Sequence, residues 1–196
     1  NSIYNTNKYI SIVLGADLNT NIRESFVESE KLKFLYLGNL KYKANLDGLK
    51  NFYANYFSKL TNQDEVELHL IGPGSELFDV SQENIIIHGF VDDLSDLLSE
   101  MHFGIATMIN GSGMKNKIFD YLRFGIPTIV NTYTAMNNNI ESRFIFCVDD
   151  VNELEEKISN YSYSVDRKNV KNSISKYRVE YVSKKFWLEI FKKVSL

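Results

Sequence analysis

Apolar residues follow two rhythms along this chain. Short, nearly unbroken apolar runs alternate with longer stretches in which they recur every three or four positions. The first rhythm fits a strand buried on both faces, and the second fits one face of a helix. The first run is Leu32, Lys33, Phe34, Leu35, Tyr36, Leu37, stopped by Gly38. A helix is expected from Leu46 to Leu60, because Leu46, Leu49, Phe52, Tyr53, Tyr56, Phe57 and Leu60 share one face; Asn45 is its expected N-cap. Val66 to Ile71 reads as a second strand, followed by a tight loop Gly72-Pro73-Gly74-Ser75. Ile85 to His88, stopped by Gly89, reads as a third strand, and Asp93 to Glu100 as a short helix. A fourth strand is expected over Phe103 to Met108, then a loop at Gly111-Ser112-Gly113. The next helix, Met114 to Phe124, is closed by Gly125 and Pro127. Thr128 to Asn131 and Arg143 to Val148 read as the fifth and sixth strands. Asp150 and Glu153 have capping-box spacing for the helix that follows. The tail from Asp166 to Val194 reads as helical, with a break near Tyr177.

Alternation of strands and helices implies a parallel sheet covered on both faces, so the fold class is α/β, a Rossmann-like sheet of about six strands. Ligands of such sheets bind at the carboxyl ends of the strands, near the point where strand order reverses. Attention therefore falls on the loops that begin at Gly38, Gly72, Gly89 and Met108. Residues 31–196 are read as the domain and residues 1–30, with a short apolar run Ile10 to Leu14, as a segment leading into it.

Composition narrows the partners. Hydrophobic residues make up 44% and charged residues 24% of the 196, with a net charge of −3. An acidic balance argues against a nucleic-acid binder, which is usually strongly basic. One cysteine, Cys147, allows no internal disulfide and no multi-cysteine metal site; its Phe-Ile-Phe-Cys-Val setting reads as core. His69, His88 and His102 lack metal-ligand spacing and read as structural, so no metal is expected. Asp92, Asp93 and Asp96 read as capping and flanking a helix. No apolar stretch approaches the roughly 20 residues of a membrane-spanning helix. The tail Phe186 to Val194 is amphipathic with lysines on its polar side and admits two readings, packing on the domain or peripheral membrane contact.

The segment from Asn110 to Pro127 carries the richest chemistry. It is a glycine turn feeding a helix, where unpaired N–H groups and the positive end of the helix dipole suit phosphate. Lys115 and Lys117 add positive charge to the first turn, which the dipole disfavours unless an anion is bound. Asp120, further along the helix, is suited to accept hydrogen bonds from a ribose diol. The segment is neither a P-loop nor a Gly-x-Gly-x-x-Gly fingerprint. Phosphate followed by a ribose-holding acid points to a nucleoside diphosphate.

Four pieces in order resemble the C-terminal domain of family-4-like, GT-B-type glycosyltransferases. Leu35-Tyr-Leu-Gly-Asn-Leu-Lys-Tyr-Lys-Ala-Asn-Leu-Asp-Gly-Leu resembles their opening strand and helix, and Leu70-Ile-Gly-Pro-Gly-Ser their second strand and glycine loop. Ile87-His-Gly-Phe-Val-Asp-Asp-Leu-Ser-Asp-Leu-Leu is similar to their nucleobase-side strand, and Gly111 to Pro127 to their donor-binding helix. Ile12-Val-Leu-Gly-Ala-Asp is similar to their interdomain segment, so the likeness covers nearly the whole chain. The resemblance implies that Gly38, Asn39, Gly72 and Gly74 line the donor site. It implies that Gly89 and Val91 meet the base through their backbones. Gly113, Met114 and Lys115 would meet the diphosphate, with Gly111, Ser112 and Asn116 in the same donor-binding segment, and Asp120 would hold the ribose. Lys115 and Lys117 are the catalytic candidates, stabilising charge on the leaving diphosphate.

The sequence departs from the family pattern at three points. Asp120 replaces a glutamate, Ser112 stands where a sugar-contacting glutamate is usual, and Asn39 stands where an arginine is common. Lys41, Lys43, Lys115 and Lys117 are the alternatives for the missing charge. The expected function is donor binding in a retaining, metal-independent transfer that needs no cofactor beyond the nucleotide-sugar substrate. A glycan or lipid-linked acceptor would bind through an N-terminal half, making this chain an inactive fragment of a cytoplasmic enzyme of polysaccharide synthesis. Ser112 and Asn39 keep a second reading open, a non-catalytic nucleotide-sugar-binding module.

Overall fold

Leu32–Leu37 (β1) is apolar on both faces because a helical layer covers each of them. Phe34 and Tyr36 pack on one side with Leu49 and Phe52, and Leu35 packs on the other with Leu98, Ile118 and Leu122. The computed structural model describes residues 29–109, 116–138, 140–161 and 167–178. Their strands are β1, Val66–Ile71 (β2), Ile85–Gly89 (β3), Phe103–Ile105 (β4), Thr128–Val130 (β5) and Ile145–Cys147 (β6). All pair in parallel in the order β3-β2-β1-β4-β5-β6. This is a Rossmann-like α/β sheet, and its order reverses between β1 and β4.

The helices are Lys43–Asn55 (α1), Ser95–Ser99 (α2), Asn116–Arg123 (α3), Thr132–Met136 (α4), Val151–Asn160 (α5) and Arg167–Asn172 (α6). One core holds α1 and α5 against Phe34, Leu68, Leu70, Phe103 and Ile129; the other holds α2, α3 and α6 against Leu35, Ile71, Ala106 and Val130. Arg167, 1% exposed, ties the second layer together by donating to the carbonyls of Leu98 (3.0 Å) and Met101 (2.5 Å). Those acceptors lie at the end of α2, where carbonyls lack helical partners. Among the described residues no helix is long and apolar enough to cross a membrane.

Several expectations need correction. Asn45 is not an N-cap: α1 starts at Lys43, three residues earlier than expected, after Tyr42 and with no side-chain cap. That releases the Asn45 side chain for other contacts. The helix also ends at Asn55, and Phe57–Lys59 continues as a 3₁₀ turn that still buries Phe57. Strand β4 stops at Ile105 because the backbone of Met108 bonds to Asn131 and Thr134 instead of a neighbouring strand. β6 covers only Ile145–Cys147, and α2 only Ser95–Ser99, with Asp93 accepting from the Ser95 N–H (2.9 Å) ahead of it. Helix α4, which the pattern does not announce, is capped by Asn131 accepting from Thr134 N–H. Cys147 is exposed rather than core, since β6 is an edge strand whose alternation turns Phe146, not Cys147, towards the α5 side. Asp150 caps α5 as expected (2.9 Å from Glu153 N), but Glu153 reaches back to the N–H of Asp149 rather than Asp150. The Ile10 to Leu14 run, the interdomain segment and the amphipathic tail lie outside the described residues.

Candidate functional site

The site grows out of the place where β1 and β4 part. Their pairing covers only Phe34↔Phe103 and Leu35↔Gly104. Beyond it, Tyr121 of α3 inserts its hydroxyl between the strands. The Leu37 N–H donates to Tyr121 Oη (2.9 Å), and Tyr121 donates to the Ile105 carbonyl (3.0 Å). Gly104 makes room for the ring, because a Cβ there would lie 2.2 Å from Tyr121 Cγ. Burial raises the Tyr121 phenol well above its ordinary pKa, so the hydroxyl stays protonated and donating. This bridge fixes how α3 sits over the crevice.

Lys117, in the first turn of α3, crosses the carboxyl edge of the sheet from one helical layer to the other. Its ammonium reaches Asn45 Oδ1 of α1 at 2.7 Å and lies 5.0 Å from the centre of the Tyr36 ring. Gly38 permits the crossing, since a Cβ at that position would be 2.7 Å from Lys117 Nζ. The positive charge therefore stands at the head of β1. Asn39, where the resemblance implies an arginine, builds a turn instead: its Oδ1 accepts from the Lys41 N–H (2.9 Å) and its carbonyl accepts from Asn45 Nδ2 (2.8 Å). Lys43 is occupied with Asp47 (2.8 Å) on the exposed face of α1.

The neighbouring loops form a glycine floor. The Gly72 N–H donates to the Gly89 carbonyl (2.7 Å), and at Gly72, with φ +130°, a Cβ would fall 2.2 Å from the Gly38 carbonyl oxygen. Only glycine lets β1 and β2 end so closely. Gly74 begins the 3₁₀ turn Ser75–Leu77 with a left-handed backbone. At the end of β3, Val91 packs on the core while Phe90 is exposed.

Asp120 lies one turn beyond Lys117 on α3 and pairs with Arg123 Nη2 (3.2 Å). Partial burial raises its carboxyl above the usual range, with Arg123 and Lys117 pulling the other way. The structure thus brings Gly38, Asn39, Gly72, Asn45, Lys117 and Tyr121 to one edge, with Asp120 on the same helix. Gly111, Ser112, Gly113, Met114 and Lys115 lie outside the described residues, and Asn116 opens α3. Sequence reasoning missed Tyr36, Asn45 and Tyr121. Their signals were an apolar strand position and helical positions, which read as core or cap.

The histidines are structural in a specific way. His69 and His88 stack with ring centroids 5.1 Å apart and share an Nδ1–Nε2 hydrogen bond of 2.9 Å, while His69 Nε2 meets Glu67 (3.1 Å). His102 Nδ1 accepts from the Lys33 N–H (3.0 Å). Among the described residues no group of His, Cys, Asp or Glu could hold a metal ion.

A family model described as glycosyl transferases group 1 matches residues 31–162, about two thirds of the chain and every strand of the sheet. This chain belongs to the glycosyl transferases group 1 family. Among solved structures, this group 1 chain is similar to the lipopolysaccharide outer core galactosyltransferase WaaB in its apo form. That likeness has a TM-score of 0.62 at 14% identity over 94% of this chain and 56% of that one. It is similar to TarM (TM-score 0.59, 14% identity, 88% of this chain, 37% of that one). It is also similar to Anabaena Alr3699/HepE solved with UDP and glucose (TM-score 0.59, 12% identity, 82% and 48%). The group 1 chain therefore spans about half the length of these structures, and at such identity the likeness is one of fold. No curated protein matches its sequence.

Proposed function

We propose that this chain is the donor half of a group 1 glycosyltransferase and binds a nucleoside-diphosphate sugar at the carboxyl ends of β1 and β4. One observation carries the reading: the Lys117 ammonium is held at the head of β1, at the switch point where sheets of this order take their ligands. Asp120, one turn away, is the group to hold the ribose. A structure of Anabaena HepE in complex with UDP-glucose has the same fold and supports this choice of ligand class. In transfer, the bond between the anomeric carbon and the diphosphate oxygen breaks, and the acceptor hydroxyl forms the new bond and loses its proton. Negative charge gathers on the leaving diphosphate, where Lys117, with Lys115, stabilises it. The same reading carries retention at the anomeric carbon and no need of a metal. It also carries a cytoplasmic setting and an acceptor, glycan or lipid-linked, held by a second half, so this chain alone does not turn over.

Calorimetric titration with UDP, GDP and ADP tests the reading. One of the three is expected to bind, and Lys117→Ala or Asp120→Ala to weaken it by about tenfold or more, about 1.4 kcal/mol. Because Asp120 holds the diol as the carboxylate, binding should fade on acidification from above the usual carboxylate range, and Asp120→Ala should flatten that dependence. Failure of all three to bind the chain and its full-length parent would sink the reading. The Asn39 turn favours an accessory module as the second reading. Unchanged transfer by the full-length Lys117→Ala and Asp120→Ala variants would decide for it.

A further inference from the structure

The Lys117 ammonium does not place itself. A lysine side chain has four rotatable carbons and prefers solvent, and a cation in a helix's first turn is opposed by the dipole. Something must hold it over Gly38. Among the described residues, Asn45 Oδ1 at 2.7 Å and the face of Tyr36 at 5.0 Å do so. Both come from one connected unit. The Tyr36 hydroxyl donates to the Asn45 carbonyl (2.7 Å), which locks ring and helix start together. Asn45 Nδ2 donates to the Asn39 carbonyl (2.8 Å), and this sets the direction of the amide. With its NH₂ turned to Asn39, the amide oxygen faces Lys117. The reverse orientation would set NH₂ against an ammonium and an oxygen against an oxygen.

We infer that Asn45 is the positioning residue of the site: it aims the Lys117 ammonium across the sheet edge at the diphosphate, in place of the charge absent at Asn39. The inference rests on the donor reading above. The chemistry of the amide is what suits it. A neutral oxygen orients a cation without neutralising it, whereas a carboxylate there would form an ion pair and compete with the phosphates. Asn45 also joins three parts: β1 through its backbone carbonyl, which accepts from Tyr36, and the Asn39 turn and α3 through its side-chain amide. Asn45 thus sets the span of the crevice as well as the direction of its charge.

The test uses the 196-residue chain with UDP, uridine and inorganic pyrophosphate as probes. Asn45→Ala is expected to weaken UDP and pyrophosphate by about tenfold and to leave uridine within twofold. Asn45→Asp, nearly the same shape, is expected to do the same by pairing with Lys117. Lys117→Ala should match these losses, and the Asn45→Ala, Lys117→Ala double variant should be no worse than Lys117→Ala alone. Equal loss of uridine and UDP, or losses that multiply in the double variant, would overturn the positioning role. A ligand-free measurement separates this from the donor reading: acylation of Lys117 by acetic anhydride, followed by peptide mass spectrometry. Asn45→Ala should raise its rate at least threefold over the other lysines. An unchanged rate overturns the inference even if UDP binds. A rate raised by Asn45→Ala, together with a wild-type chain that binds neither UDP nor pyrophosphate, keeps Asn45 as the holder of Lys117 and sinks the donor reading.

Discussion

His102 shows how strongly one residue's surroundings act in this fold. It is 5% exposed, accepts from the Lys33 N–H, and lies near the charges of Arg167 and Lys33. Burial first, and then those charges, lower its pKa from 6.5 to about 4. The unfolded chain therefore binds the proton more readily, so stability is full above pH 6.5 and is lost as pH falls towards 4. The loss at this one group is roughly 3 kcal/mol, and denaturant melts between pH 7 and pH 4 should show it. His102→Asn, which keeps an acceptor, should flatten the slope; a slope unchanged in that variant would place the acid sensitivity elsewhere. His69 and His88, both shifted down by burial, add to the same trend. At this scale the sequence was least legible. Asn45 and Cys147 were assigned by local rules for caps and apolar runs. Their roles depend instead on where a helix starts and on which strand forms the edge.

At the scale of elements, α3 is positioned by what its apolar residues cannot do alone. Ile118, Phe119 and Leu122 bury the helix, and the Tyr121 hydroxyl fixes its height over the strands by bridging Leu37 N–H and the Ile105 carbonyl. Tyr121→Phe keeps the ring and leaves two buried backbone groups without this partner. It is expected to cost about 1–3 kcal/mol in urea unfolding. A loss below half a kcal/mol would mean that the strands close on each other instead. The elements themselves were largely readable from the chain. Strands β1 and β2 match the expected bounds, because a buried parallel strand has no polar face to blur its pattern. The errors fall where tertiary contacts override the local signal. β4 and β6 are shorter than their apolar runs, and α4 is a single turn set by Asn131 and Thr134. For the candidate site, the strand-end loop at Gly38 and the glycine turn leading into α3 single out Gly38, Lys117 and Asp120 as candidates, and the structure sets Lys117 over Gly38. The Tyr36–Asn45–Asn39 unit was not legible, since it joins a strand, a turn and a helix start through contacts no single window contains.

Seen whole, the molecule is two three-stranded pieces joined along β1 and β4. β3, β2 and β1 come from residues 32–89, and β1 pairs with β2 in register from Leu32↔Val66 to Leu37↔Ile71. β4, β5 and β6 come from residues 103–147, and they meet β1 at two positions only. The candidate site lies on that seam, with Lys117 and Tyr121 reaching across it. Each piece has shorter-range contacts than the junction between them, so the pieces are expected to form early and the seam to close late. Tyr121→Phe should then accelerate unfolding far more than it slows refolding in stopped-flow experiments. A change carried mainly by the refolding rate would refute this order. The narrow β1–β4 junction thus has a kinetic meaning: a ligand that clamps both sides of it would slow the chain's opening and act as a latch on its folded lifetime.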